Sequence, residues 1–170
     1  KRTKLDWKEV ISLKHTAEGI WDIDSVNVKR DWGKLLHLVL SEIHYLEQKE
    51  KVVENFYKLG RCSKEDAEKL KITIDQLLNN KNIALYFDEN WKVKTEKEIL
   101  MEDGRTYIPD RLLFAKNTDE VVVIDYKTGV KSTDHESQIT DYASALCDMG
   151  YENTKRVLVY IADEIKVEVL

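Results

Sequence analysis

Apolar residues in the first half of the chain recur at the spacing of one helix face. They include Leu35, Leu36, Val39, Leu40 and Ile43, and this spacing predicts an amphipathic helix. A later helix is predicted from Ser63, because Ser63 and Asp66 stand at the spacing of a capping box. Residues 1–90 are therefore interpreted as mainly helical.

From about residue 91 the pattern changes to short strands. Strands are predicted over 94–101, 107–115 and 120–127, and the Asp-Gly pair within 102–105 is typical of a hairpin turn. These strands would form an antiparallel meander. Since Pro109 cannot donate to a sheet ladder, a bend or a break in pairing is expected beside Asp110.

The remaining elements complete the predicted fold. A helix is expected to begin at Thr133, with Glu136 completing a capping box, and to end near Gly150; strands over 155–162 and 166–170 follow. This order predicts an α/β fold in which a mixed central β-sheet is flanked by helices, with a helical N-terminal part. No linker rich in Pro, Gly or Ser interrupts the chain, so residues 1–170 are interpreted as one domain with residues 91–170 as its α/β core.

Composition predicts a soluble, cytoplasmic protein that does not enter a membrane. No apolar run reaches the roughly eighteen residues of a membrane span, and no signal peptide opens the chain. With Cys62 and Cys147 as its only cysteines, the chain lacks the ligands of a four-cysteine iron–sulfur site. Because the chain opens with Lys-Arg-Thr and not with Met, we interpret it as a piece of a longer protein.

The net charge of -5 argues against nucleic-acid binding by overall charge. Local basic surfaces remain possible, and the candidate residues are Lys29, Arg30, Lys34, Lys127 and Lys131. For each residue taken alone, solvated charge is the simpler interpretation.

Charged residues at the end of an apolar strand carry the candidate chemistry. Asp125 and Lys127 follow an apolar run on one strand face, and Asp110 precedes them on the neighbouring strand. Paired carboxylates attract Mg²⁺ or Mn²⁺, which acidifies a bound water, while a lysine orients that water and balances charge on a phosphate. A lone Asp-x-Lys is more often a structural ion pair. The addition of Gln138 and Tyr142, one helical turn apart on the next helix, favours a catalytic site.

His37 is a further candidate because it follows Gly33 by one helical turn. The glycine would let a substrate backbone approach, although a histidine among leucines is more often a core residue. Glu98 is a weak candidate for a second acidic group. A last set of residues has structural explanations, in helix capping or as core or interface anchors: Asp134, His135, Glu136, Trp7, Trp21, Trp32 and Trp91.

Taken together, Gly33-x-x-x-His37, Pro109-Asp110, Asp125-Tyr126-Lys127 and Gln138-x-x-x-Tyr142 resemble the motifs of RecB-like nucleases of the PD-(D/E)XK superfamily. The resemblance covers about residues 30–165 and implies a restriction-endonuclease-like core. It implies metal ligation by His37, Asp110, Asp125 and the Tyr126 carbonyl, catalysis by Asp110, Asp125 and Lys127, and substrate binding by Gln138 and Tyr142. Mg²⁺ or Mn²⁺ is the implied cofactor.

The same resemblance suggests the C-terminal nuclease domain of a UvrD-like helicase-nuclease of the AddA or RecB type, which processes double-strand breaks. The implied partners are DNA, as single strands, the helicase part of the parent chain, and a partner subunit. The expected activity is that of a metal-dependent exonuclease. The alternative is a catalytically inactive, nuclease-like module for DNA binding or docking, and a hydrolase of RNA or small phosphoesters also stays open.

Overall fold

The computed structural model describes residues 28–100, 104 and 106–170, and the side chains from Trp32 onward within these ranges. The predictions for Trp7, Trp21 and most of the hairpin turn lie outside the described residues, as do the side chains of Lys29 and Arg30. The helices are α1 (Val28–Glu42), α2 (Lys49–Lys58), α3 (Lys64–Asn79), α4 (Lys81–Ala84) and α5 (Thr133–Asp148), with 3-10 turns at Leu46–Gln48 and Leu85–Phe87. None of these described helices has the length and apolar character that crossing a membrane requires.

The helical part forms as the apolar spacing predicts. On α1, Leu36, Val39 and Leu40 are buried, as is Ile43 directly after the helix, and Leu35 is partly buried against them. Ser63 caps α3: its hydroxyl accepts the N–H of Asp66 at 3.0 Å, and the Asp66 carboxylate accepts the N–H of Ser63 at 3.3 Å. The tryptophans Trp32 and Trp91 belong to this apolar layer.

A five-stranded mixed sheet follows. In their order across the sheet, its strands are β1 (Trp91–Thr95), β4 (Arg111–Ala115), β5 (Val121–Lys127), β6 (Thr154–Ile161) and β7 (Ile165–Val169). β5 and β6 are parallel because α5 crosses between them, and the other neighbours are antiparallel.

The two faces of the sheet belong to different apolar layers. Val122 and Ile124 pack on the helical layer of α1–α4, whereas Val121 and Val123 pack under α5. The predicted α/β class, with a mixed sheet between helices, is therefore confirmed.

The predicted strands over 94–101 and 107–115 are each broken in two. β1 ends at Thr95, and a separate two-stranded ribbon forms from β2 (Ile99–Leu100) and β3 (Thr106–Tyr107). Glu96 has a φ of 45°, a left-handed conformation that interrupts a strand. On the partner segment, the break expected at Pro109 is present between β3 and β4. The side chains of Ile99 and Tyr107 in this ribbon pack on the apolar layer under α5.

The start of α5 differs from the prediction by one residue. The cap is Ser132, whose hydroxyl accepts the N–H of Asp134 at 3.3 Å, and the reciprocal partner is His135. Thr133 is therefore the first helical residue and not the cap, and Glu136 contacts Lys131 at 3.3 Å instead of completing a capping box. Two adjacent hydroxyl residues made the choice ambiguous in sequence. At the other end, Gly150 has the predicted left-handed conformation, with a φ of 95°.

Candidate active site

Asp110 lies where the ribbon and the large sheet separate. β4 begins at the next residue, and β3 ends at Tyr107. Oδ2 of Asp110 accepts the backbone N–H of Tyr126 at 2.7 Å, and Oδ1 is 3.2 Å from Nδ1 of His37. Through these two oxygens, Asp110 connects β4 with β5 and with α1.

His37 reaches this position from the helical layer. Its ring meets the ring of Tyr126 edge to face, with 6.1 Å between the centroids. Burial acts to lower the pKa of the imidazole, but the hydrogen bond to Asp110 and the charges of Asp110 and Asp125 outweigh it and raise the pKa above the ordinary 6.5. The metal-free site therefore stabilises the protonated imidazole.

β5 changes from apolar to charged at its C-terminal end. Asp125 and Lys127 lie on the face that packs under α5, and Asp125 is only 4% exposed. Nζ of Lys127 lies 2.7 Å from Oδ2 of Asp125 and forms an ion pair with it. Burial raises the pKa of Asp125 and repulsion by Asp110 adds to it, while Lys127 and His37 oppose the shift. The two carboxylates are thus close enough for their charges to interact.

A chain of hydrogen bonds continues from Lys127 onto α5. Nζ of Lys127 donates to Oε1 of Gln138 at 2.7 Å, and Nε2 of Gln138 donates to the hydroxyl of Tyr142 at 2.8 Å. Tyr142 is buried, its ring meets that of Tyr107 at 5.6 Å, and burial followed by the charge of Asp125 raises its pKa to about 12. The Tyr142 hydroxyl therefore stays neutral and fixes Gln138 beside the lysine.

The backbone carbonyl of Tyr126 faces the same side of β5 as its N–H. In an extended strand the two groups of one residue point the same way, and this N–H points at Asp110. The pairing of β4 with β5 ends at Arg111 and Ile124. The Tyr126 carbonyl thus lies beyond the last pair of that ladder, on the Asp110 side.

Glu96 is an acidic residue of this site that the sequence interpretation missed. Its N–H donates to the carbonyl of Asp110 at 3.2 Å. Although Glu96 is exposed as a residue, partial loss of hydration raises the pKa of its carboxyl, repulsion by Asp110 adds to the shift, and His37 opposes it. In the structure, β1 with β4 and β2 with β3 share one register, which sets Glu96 opposite Asp110. The strand pattern in the sequence does not express that register. The predicted candidate, Glu98, is exposed two residues farther along the chain.

The role predicted for Gly33 is wrong. Gly33 is buried against the loop after β5, and a Cβ there would lie 2.6 Å from Oγ1 of Thr128. The missing side chain thus makes room for Thr128 and not for a substrate backbone.

The predicted basic surface at Lys131 is also compensated. Its Nζ contacts Glu136 at 3.3 Å and Glu168 at 2.8 Å. Lys131 therefore joins the loop after β5 to α5 and β7, instead of presenting an unpaired charge to phosphate. Lys34 is exposed on α1.

The donor chemistry of the site fits a divalent cation. Across residues 28–100, 104 and 106–170, no three His, Cys, Asp or Glu side chains are already gathered as a metal site. However, Oδ2 of Asp125 is a buried carboxylate oxygen that faces the ammonium of Lys127, and an imidazole nitrogen lies against the second carboxylate. Two carboxylates and an imidazole suit Mn²⁺ or Mg²⁺. The positive partners now beside the carboxylates are His37 and Lys127.

Comparison with known families decides the class. The sequence model described as "PD-(D/E)XK nuclease superfamily" matches residues 12–169. The chain belongs to the PD-(D/E)XK nuclease superfamily. Members of this superfamily are usually metal-dependent nucleases.

Other comparisons are more distant. No curated protein matches the chain. A solved structure titled "Crystal structure of SSO0001" is similar at 20% identity with a TM-score of 0.33, over 81% of this chain. The chain spans 65% of that structure's length.

Proposed function

We propose that this chain is an Mg²⁺- or Mn²⁺-dependent deoxyribonuclease that hydrolyses phosphodiester bonds. The observation that carries the proposal is the meeting of two acid-and-cation pairs at the end of β5. Asp110 is paired with His37 from α1, and Asp125 is paired with Lys127, which α5 holds through Gln138.

The proposed metal ligands are His37, Asp110, Asp125 and the carbonyl of Tyr126. The cation would acidify a bound water and polarise a phosphoryl oxygen. The Tyr126 N–H keeps one oxygen of Asp110 occupied at 2.7 Å, which sets the direction in which the other oxygen faces. The ligand side of the site is therefore oriented by backbone as well as by side chains.

Lys127 has the proposed role of stabilising charge on the reacting phosphate. Water adds to phosphorus, the bond from phosphorus to the leaving oxygen breaks, and that oxygen takes up a proton. Negative charge grows on the phosphoryl oxygens as this happens, and a fixed ammonium lowers the barrier. Gln138 limits the motion of Nζ, and Tyr142 in turn limits that of Gln138. Gln138 and Tyr142 are also the proposed contacts to DNA.

We also propose, from the resemblance to RecB-like enzymes, that the chain is the exonuclease domain of a UvrD-like helicase-nuclease in double-strand break repair. Single strands delivered by the helicase part would be its substrate. A partner subunit belongs to the same proposal.

The decisive experiment is a cleavage assay with labelled single-stranded DNA, with matched, labelled duplex DNA and RNA as alternative substrates. We expect cleavage with Mn²⁺ or Mg²⁺, loss of cleavage with chelator, and loss in Asp125→Ala, whose folding is checked by circular dichroism. Glu168→Ala, which removes an acid paired with Lys131, is the matched control. An inert wild-type chain under every divalent cation would instead support the docking or DNA-binding module. Faster cleavage of RNA would overturn the assignment to DNA.

A comparison of metals tests the imidazole ligand. Imidazole favours Mn²⁺ over Mg²⁺ relative to an all-oxygen site, so Mn²⁺ should support faster cleavage at saturation. His37→Ala should remove that preference. Equal saturating rates in the wild type would argue against His37 as a ligand.

A further inference from the structure

Arg111 is a fully buried cation directly after Asp110. Among the described residues it has no carboxylate partner, and its two terminal nitrogens donate to backbone carbonyls. Nη1 donates to Ile43 at 2.7 Å, and Nη2 donates to His44 at 2.6 Å and to Tyr86 at 3.3 Å. A planar guanidinium makes several such bonds at fixed angles, which an ammonium cannot reproduce.

Two of these carbonyls lie just past the end of α1, which closes at Glu42. Backbone carbonyls at a helix C-terminus carry partial negative charge. These carbonyls therefore provide the negative charge that a carboxylate partner would otherwise provide to Arg111. The guanidinium also lies over the ring of Phe87, 3.9 Å from its centroid. Even so, removing a guanidinium from water is costly, and an apolar side chain of similar volume often packs as well. We therefore interpret Arg111 as a residue that is needed to hold neighbouring elements in place, and not one that is needed for stability alone.

The residue whose position depends on Arg111 is His37. His37 lies on α1, and Arg111 fastens the end of α1 to the strand that starts beside Asp110. Arg111 also lies close to Tyr126, whose ring supports the imidazole. The 3.2 Å contact between His37 and Asp110 thus joins two elements that Arg111 already holds together.

We propose that Arg111 is a positioning residue, which sets His37 for metal binding by fixing the C-terminal end of α1 on β4. The inference rests on the proposed function, since it assumes that His37 is a metal ligand. Arg111 itself touches neither metal nor substrate in this proposal.

Titration of the 170-residue chain with Mn²⁺ in a calorimeter tests the inference. Arg111→Lys keeps the positive charge but loses the planar set of hydrogen-bond donors of the guanidinium, and Arg111→Met loses both. We expect each variant to bind Mn²⁺ about tenfold more weakly, within the range seen when groups that orient metal ligands are removed. If Arg111→Lys binds as wild type while Arg111→Met is weakened, charge and not position is responsible, and the proposal is overturned.

A double-mutant cycle tests whether Arg111 affects Mn²⁺ affinity through His37 or independently of it. In a His37→Ala background, Arg111→Lys should change the Mn²⁺ affinity less than about twofold, because the residue it positions is gone. An equal loss in both backgrounds contradicts the proposal. Nitrogen-15 spectra of the metal-free protein give a second measurement: the His37 ring signals should shift in Arg111→Lys as its contact with Asp110 loosens, and unchanged signals contradict the proposal.

Leu113→Ala is the matched control. Leu113 is fully buried on the same face of β4, two residues beyond Arg111. We expect it to lower thermal stability at least as much as Arg111→Lys while leaving the Mn²⁺ affinity within about twofold. An equal loss of affinity would make the Arg111 effect one of stability alone, and the proposal would fail.

The proposed metal site and the proposed role of Arg111 are overturned by different results. If wild type does not bind Mn²⁺, or His37→Ala binds as wild type, the proposed metal site fails and this inference falls with it. If wild type binds, His37→Ala binds weakly and Arg111→Lys binds normally, only the role of Arg111 is wrong. All titrations are made at a temperature where circular dichroism shows each variant folded.

Discussion

One oxygen of Asp110 takes the backbone N–H of Tyr126 as its hydrogen-bond donor, at 2.7 Å. The ladder between β4 and β5 ends at Arg111 and Ile124, so a side chain satisfies the N–H of Tyr126, two residues beyond that pair. The same bond fixes the carboxylate at the end of the sheet. Structural and proposed chemical roles are therefore divided between the two oxygens of a single residue.

Asp110→Asn separates these two roles. The amide oxygen of asparagine can still accept the Tyr126 N–H, so the fold should persist, but the negative charge that attracts a metal is lost. We expect the cleavage rate to fall about 1,000-fold, or ~4 kcal/mol in activation free energy, with a change in melting temperature below about 4 °C. Single-turnover assays and thermal melts measure the two quantities. Retention of more than about a tenth of the rate would show that the carboxylate is not a required ligand.

Glu96→Gln tests the acid that the sequence interpretation missed. Its carboxyl interacts electrostatically with Asp110 and His37, so its removal should weaken Mn²⁺ binding and slow cleavage by about tenfold. Glu98→Gln is the matched control, because it makes the same change two residues away on an exposed position. Equal effects from the two variants would indicate a general loss of negative charge.

Gly33→Ala tests how closely α1 approaches the loop after β5. The new methyl would lie 2.6 Å from Oγ1 of Thr128, so α1 or the loop must shift. We expect a loss of about 1–3 kcal/mol in the free energy of unfolding and a fall in cleavage rate. Thr128→Ala removes the opposing oxygen, so Gly33→Ala with Thr128→Ala should recover most of both losses.

Rotation of the Thr128 side chain is the competing outcome. It would relieve the clash without moving the backbone, and Gly33→Ala alone would then be as stable and active as wild type. Denaturant unfolding and the cleavage assay, applied to the two single variants and the double variant, distinguish the two results.

The metal-free protein should lose stability as the pH rises through the folded-state pKa of His37. The folded-state pKa of His37 is raised above 6.5, so the folded protein binds this proton more tightly than the unfolded chain does. Its contribution is fully present below pH 6.5 and is lost as the pH rises through the higher folded-state value. Urea unfolding in chelator from about pH 5 to 8.5 measures this slope, and His37→Gln should flatten it.

His44 is an internal control of opposite sign. Burial, followed by the charge of Arg111, lowers its pKa below 6.5. The folded protein therefore holds this proton less tightly, and stability rises with pH in the window just below 6.5. His44→Gln should reduce that rise and leave the decline at higher pH unchanged. A decline that survives in His37→Gln would have to come from another group.

Local pattern determined much of this fold. The helix face of α1, the capping box at Ser63 and the alternation along β5 depend on residues within a turn or two of each other, where period and hydrogen bonding act directly. The alternation also assigned Asp125 and Lys127 to one face of β5, and the Asp-Gly turn indicated a hairpin. These features followed from the sequence because each is decided by residues that are close together in the chain.

Only the tertiary structure decided which elements meet at the site. The contacts of His37 with Asp110, of Gly33 with Thr128 and of Arg111 with the end of α1 join residues far apart in the chain. Such contacts depend on how the helical layer packs against the sheet, and no local period encodes that packing. Likewise, the strand breaks at Glu96, before the ribbon whose Ile99 and Tyr107 pack under α5, and the strand pattern alone does not express that packing.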